Sequence, residues 1–199
     1  MKRPRVTGTR RRLFLGLVGA VVLLALVAFA LVPQTHLLAP ELFGLQCAGP
    51  VCTDQPDRSD EAAGLYDDAV SDLTALLRPV APPHRVVFCS TTTCYETFDT
   101  SQATASTVAD IGIVIGPHGW EPFYVRHELI HHWQAQRLGL YTRYHAPRWL
   151  IEGMAYSLSD DPRPTLVEPN QTYRRRFRTW YATVDHQELW AAAAAETRQ

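Results

Sequence analysis

The sequence predicts an α+β fold, in which a short β-sheet and a pair of helices follow an N-terminal transmembrane helix. Three observations support this class. Residues 13–32 form one long apolar run, and short runs rich in β-branched residues occur at 85–88 and 111–115. Helical periodicity bounded by proline or glycine recurs through residues 59–199. No internal repeat is visible, and since domains usually have about 100–200 residues, this last region is expected to form one domain.

The apolar run is long enough to cross a bilayer. Its twenty uncharged residues, at about 1.5 Å each in a helix, cover the roughly 30 Å hydrocarbon core. Residues 1–12 carry six positive charges and no acid, which predicts a single-pass anchor with this basic segment in the cytoplasm and all that follows Pro33 outside it. The alternative is a signal peptide cleaved near Ala30, but the run exceeds the ~7–15 residues usual for a signal sequence, which favours the anchor.

The charge distribution argues against a nucleic-acid partner. Residues 33–199 contain 13 arginines and all 20 acidic residues, which leaves a formal charge of −7. The membrane, contacted through residues 13–32, is an expected partner.

The four cysteines form two pairs that are close in sequence, Cys47 with Cys52 and Cys89 with Cys94. Four cysteines allow three connectivities, and the tight loops favour local pairing. Neither pair has the Cys-x-x-Cys spacing of structural zinc sites. Thiols outside the cytoplasm oxidise, so two disulfides are predicted.

The remaining organisation follows from periodicity and its breaks. Residues 33–58 contain proline, glycine and polar residues without a clear period, which predicts a stalk or irregular lead-in to a domain over 59–199. An amphipathic helix is predicted from Ser59 until the prolines that begin at Pro79. Further helices are predicted from Pro122 to about Leu138, after Pro147, and around residues 173–181.

The most informative segment is His127-Glu128-Leu129-Ile130-His131. Two histidines four apart on a helix lie about 40° apart around its axis, because each residue turns about 100°. Both can therefore bind one metal ion. Glu128 is placed to reach a water molecule on that ion but not to be a ligand, an arrangement typical of peptide hydrolysis with one Zn²⁺ ion and a glutamate as general base.

A zinc hydrolase needs three protein ligands and an open position for water. Glu152 is the best candidate for the third ligand, because it lies inside an apolar helical pattern where burial of a lone carboxylate would be costly. Glu121, Asp160 and Asp161 are nearby in sequence but lack that setting. Bound zinc would lower the pKa of its water from 15.7 to about 7, and Glu128 would accept the proton.

These two segments carry a resemblance to a known family. Residues 126–132, Arg-His-Glu-Leu-Ile-His-His, and residues 147–155, Pro-Arg-Trp-Leu-Ile-Glu-Gly-Met-Ala, resemble the gluzincin branch of metallopeptidases and, more narrowly, bacterial peptidase MA-like proteins of undefined substrate. The resemblance covers roughly residues 85–163. It implies a small zincin-like domain with an active-site helix pair. Position 137, where a metzincin would have its third histidine, is Arg137.

Two features depart from the gluzincin pattern. Tyr156 stands where many gluzincins have an aspartate that holds a ligand histidine, so another residue must do this here. No motif identifies the residue that would stabilise the oxyanion, and Tyr173, Tyr181, His145 and His186 remain open candidates.

Two function classes follow from these residues. The first is a membrane-anchored, extracytoplasmic zinc metallopeptidase, whose expected partner is a peptide or protein substrate. The second is a catalytically inactive zinc-binding domain that acts as a binding or scaffold module. Glu128 favours the first, because a purely structural metal site needs no acid there, while the absence of an aspartate at Tyr156 keeps the second open.

Overall fold

The computed structural model describes residues 7–99, 101, 103–108 and 111–198, so the first six residues of the predicted basic segment lie outside the described part. Eight α-helices are described: α1 Thr7–Leu31, α2 Ser59–Leu77, α3 Thr92–Phe98, α4 Pro122–Leu138, α5 Leu140–His145, α6 Arg148–Leu158, α7 Asn170–Tyr181 and α8 Leu189–Glu196. Five strands are described: β1 Gln46–Ala48, β2 Val51–Thr53, β3 Arg85–Phe88, β4 Ala105–Val108 and β5 Gly112–Ile115. The chain is thus a mixture of helices and a sheet, preceded by one apolar helix, as expected in outline.

The five strands form one mixed sheet in the order β1-β2-β3-β5-β4. The three inner strands run parallel, and each edge strand is antiparallel to its neighbour. The predicted strands at 85–88 and 111–115 are confirmed as β3 and β5, which pair from Arg85 with Gly112 to Phe88 with Ile115.

The segment expected to be an irregular lead-in, residues 33–58, belongs to the folded body instead. It supplies β1 and β2 to the sheet, and Leu37 and Cys52 are fully buried. The strands have only three residues each, shorter than the usual 5–6 or so. Strands this short show no detectable period-2 alternation, so the sequence does not predict them.

The two faces of the sheet bury different clusters. Val86 and Phe88 of β3 belong to the larger core, which α2, α4, α6, α7 and α8 cover. Val87, between them, points to a smaller core with Leu37 and Phe98 of α3. This alternation is the period of two expected of a strand covered on both faces.

Both disulfides have the predicted connectivity, Cys47 with Cys52 and Cys89 with Cys94. The first joins directly opposite residues of the β1–β2 hairpin. The second joins the end of β3 to the first turn of α3, whose amide at Cys94 is capped by the Thr91 hydroxyl at 3.1 Å. The segment between these cysteines therefore begins a helix and is not only a loop.

Helix α1 has the length and composition of a membrane span. Residues Leu13–Leu31 have a mean hydropathy of 2.9, and none of that window is buried against the rest of the protein. A signal sequence has the same properties, so both alternatives drawn from the sequence stand.

Candidate metal centre

Helix α4 carries the first part of the site. It begins at Pro122 and ends before Gly139, whose φ of 83° few other residues adopt, which matches the predicted bounds. It packs against α2, α6 and the edge strand β4. His127, Glu128 and His131 are all buried in this environment.

Helix α6 carries the second part of the site and packs closely against α7. At Gly153, immediately after Glu152, an added Cβ would lie 2.5 Å from the main-chain oxygen of Tyr173 and 2.7 Å from Cβ of Phe177. Only glycine permits this approach of the two helices. The backbone next to Glu152 is therefore held tightly in place.

The three predicted ligands converge. Oε2 of Glu152 lies 3.8 Å from Nε2 of His127 and 3.5 Å from Nε2 of His131, and one ligand atom from each residue lies within 4.8 Å of the others. Zn–N and Zn–O bonds of about 2.0–2.1 Å in tetrahedral geometry place ligand atoms about 3.3 Å apart. The spacing therefore fits a small divalent cation, and the cluster can hold a metal ion.

The electrostatics of the cluster favour the ligand forms of its side chains. Burial, together with the neighbouring His131, lowers the pKa of His127 to about 3. Burial opposes ionisation of Glu152, but a hydrogen bond with His131 and electrostatic interactions with His131, His127 and Arg148 outweigh it and lower its pKa to about 2. A neutral imidazole and an ionised carboxylate are the forms that bind metals.

Gln134 is the hydrogen-bond partner of one candidate ligand, His131. Its Oε1 lies 2.8 Å from Nδ1 of His131, and its Nε2 donates to the main-chain oxygen of Ile151 at 2.9 Å. The amide oxygen can only accept, so His131 donates from Nδ1 and turns Nε2 toward Glu152. Gln134 thus joins α4 to the residue before the third ligand. Sequence reasoning missed it, although its position three residues after His131 places it on the same helix face.

Thr107 holds the Glu128 side chain from the edge strand β4. Its Oγ1 lies 2.6 Å from Oε2 of Glu128 and 2.8 Å from the main-chain oxygen of the same residue. A hydroxyl from the sheet therefore restrains the Glu128 carboxylate. No sequence motif pointed to Thr107, because the two residues are 21 positions apart and their contact depends on the packing of α4 against β4.

Tyr156 stands where the resemblance led us to expect an aspartate. Its ring packs against the His127 ring with a centroid separation of 4.4 Å. Its hydroxyl accepts a hydrogen bond from Asn170 at 3.1 Å. Burial, and to a smaller degree the charge of Glu152, raises its pKa. Its phenol is therefore a neutral donor next to the ligand cluster.

The structure gives contacts for the four residues considered for oxyanion stabilisation, and all four remain candidates. His145 stacks on Tyr141 of α5 at 4.0 Å, and Tyr181 stacks on His186 at 4.0 Å. The Tyr173 main chain contacts Gly153 on the α7 side of α6.

The other carboxylates considered as a third ligand also lie outside the cluster. Asp161 accepts a hydrogen bond from Nε of Arg163 at 2.8 Å, and Asp160 pairs with Arg126 at 3.1 Å. Glu121 is exposed at the position that precedes α4. Among the described residues, His127, His131 and Glu152 form the candidate metal cluster.

Comparison with known proteins found no matching family, no matching curated protein and no matching solved structure.

Proposed function

We propose that this protein is a zinc-dependent metallopeptidase of the gluzincin type, similar to bacterial peptidase MA-like proteins, with a zincin-like body. The observation that carries the proposal is the convergence of His127, His131 and Glu152 from two helices. The Glu128 carboxylate, one residue after His127, is held by the Thr107 hydroxyl. Two imidazoles and one carboxylate are the ligand set of catalytic zinc sites that keep a fourth position for water or substrate.

Each residue of the site has a defined task in peptide hydrolysis. A zinc ion held by His127, His131 and Glu152 would polarise the scissile carbonyl and lower the pKa of its water from 15.7 to about 7. Glu128 accepts the proton of the attacking water and delivers it to the leaving amine. Thr107 restrains the Glu128 carboxylate through Oε2, and Gln134 keeps His131 in the tautomer that offers Nε2 as a ligand.

The proposal includes a location. Helix α1 anchors the protein in the cell membrane, with residues 1–12 in the cytoplasm and the body outside it. Two disulfides and no free cysteine in the described part of the chain support an oxidising compartment, because disulfides are rare in the cytosol.

The test uses the full-length protein, purified in detergent and analysed for metal content. A diverse peptide library is digested with and without a chelator, and Glu128→Gln is compared with Glu121→Gln, an exposed carboxylate at the start of the same helix. We expect about one zinc ion in all three proteins, with cleavage lost in Glu128→Gln and after chelation. A zinc-loaded wild-type protein that cleaves no peptide would instead support the binding or scaffold module.

A further inference from the structure

The end of helix α1 is tied directly to the folded body. Nε2 of His36 lies 2.9 Å from the main-chain oxygen of Phe29 in α1, and Nδ1 lies 2.6 Å from that of Thr97 in α3. The imidazole thus bridges the last turns of the apolar helix and a helix of the body. The Thr35 hydroxyl adds a 2.7 Å hydrogen bond to the main-chain oxygen of Val32, the residue after α1. The carbonyl of Phe29 has no helical donor, because Pro33 stands four residues on, and His36 meets it instead.

Aromatic rings extend this junction. The ring of Phe43 stacks on His36 at 4.1 Å and lies 5.9 Å from the rings of both Phe29 and Phe98. One ring therefore contacts the apolar helix on one side and α3 on the other. Leu37, six residues after the last residue of α1, is fully buried in the core of the body. No free linker separates helix from body.

The same segment leaves large apolar side chains outside. Residues 33–38 and 40–43 form two 3-10 turns, from which Leu38 is 52% exposed and Leu42 74% exposed. They follow Leu31, itself 74% exposed, by a few residues. Three largely exposed leucines thus lie at the end of the apolar helix and in the two turns that follow it, and clustered exposed apolar side chains mark interaction sites.

We propose that the segment 33–43 rests on the membrane surface, with Leu38 and Leu42 inserted among the lipid headgroups and upper acyl chains. The partner is the bilayer, because the segment directly follows α1 and is tied to its last turn through His36, which places it where that helix leaves the membrane. The junction at His36 then holds the body against the membrane instead of on a stalk. Since the body carries a formal charge of −7, the contact depends on apolar insertion and not on anionic lipid. The inference rests on the proposed insertion of α1 and is independent of the peptidase chemistry.

The test uses the full-length protein in nanodiscs of zwitterionic phosphatidylcholine. Single cysteines are introduced as Leu38→Cys and Leu42→Cys and labelled with an environment-sensitive fluorophore. The chain has four cysteines, all in disulfides, so only the new thiol reacts. Leu23→Cys within α1 reports insertion of the helix, and Val167→Cys, 84% exposed on the body, is the matched control. Lipids that carry a quencher near the headgroup report proximity to the membrane.

We expect blue-shifted emission and loss of fluorescence with the quencher lipids for labels at 38 and 42, and water-like, unquenched emission at 167. Water-like emission at 38 and 42, with a label at 23 that reports lipid, would overturn the docking and leave the anchor standing. Water-like emission at 23, or a mature chain that begins after Ala30, would overturn the anchor as well. Equal quenching at 42 and 167 would also overturn the proposal, because the contact would not be confined to this segment.

Discussion

Replacement of Gln134 by leucine is expected to weaken zinc binding by about 10–100-fold, the usual effect of removing the partner of a ligand histidine. This is a loss of roughly 1.4–2.7 kcal/mol in binding free energy. The structure gives the reason: Gln134 is wholly buried, accepts from His131 at 2.8 Å and donates to Ile151 at 2.9 Å. Leucine has a similar volume but neither polar atom.

The folding free energy of the metal-free protein is expected to fall as well. The His131 N–H loses its acceptor in a buried site, which costs about 1–3 kcal/mol. The carbonyl of Ile151 lies within helix α6, so the loss of the Gln134 donor adds less. Gln134→Glu separates the two contacts, because it keeps an acceptor for His131 while it removes the donor to Ile151.

Zinc affinity is measured by competition with a chromophoric chelator, and stability by thermal unfolding of the metal-free protein followed by circular dichroism. Gln136→Leu is the matched control, since Gln136 is exposed on the same helix. We expect Gln134→Glu to bind zinc nearly as tightly as the wild type. The control Gln136→Leu should equal the wild type in both zinc affinity and melting temperature. If Gln134→Leu folds and binds zinc as tightly as Gln136→Leu, His131 does not depend on Gln134 for its orientation.

Three further results are expected. Gly153→Ala should lower zinc affinity and the melting temperature together, because its Cβ would collide with α7; unchanged affinity by chelator competition would show that α6 absorbs the methyl group without moving its ligand. Thr107→Val should reduce peptide turnover but not zinc content. Thr107→Ser should retain turnover, because serine keeps the hydroxyl that donates to Glu128; equal turnover rates for the two variants would contradict the role of the hydroxyl. The double change Cys47→Ser and Cys52→Ser should lower the unfolding free energy by about 2 kcal/mol in urea titrations, because the disulfide no longer restricts the unfolded chain. An unchanged unfolding free energy would indicate that the hairpin stays ordered in the unfolded chain even without the disulfide.

The parts of the structure that sequence predicted well are those fixed by local chemistry. Proline and glycine bound α4 at Pro122 and Gly139, and the spacing of His127 and His131 is set by the helix itself. Glu152 was predicted as a ligand on a less local argument, because a carboxylate within an apolar helix needs a partner. The convergence of these side chains matches that reasoning.

The parts that sequence did not predict depend on contacts distant in the chain. Thr107 contacts Glu128 only because β4 packs beside α4. Gln134 can join α4 to α6 only because the main-chain oxygen of Ile151 lies next to it. The strands β1 and β2 are too short to produce a pattern, and their pairing with β3 fixes them in place. Long-range pairing, and not local propensity, decides such elements.

The position of β2 has a practical consequence for fragments of this protein. A fragment cut at residue 59, where helical periodicity begins, would lose the strand that pairs with β3 from Val86 to Phe88. An apolar inner strand would become an edge with open amide and carbonyl groups, which promotes intermolecular strand pairing and aggregation. Fragments intended to be soluble should therefore begin upstream of the β1–β2 hairpin, so that residues 46–53 continue to pair with the exposed side of β3.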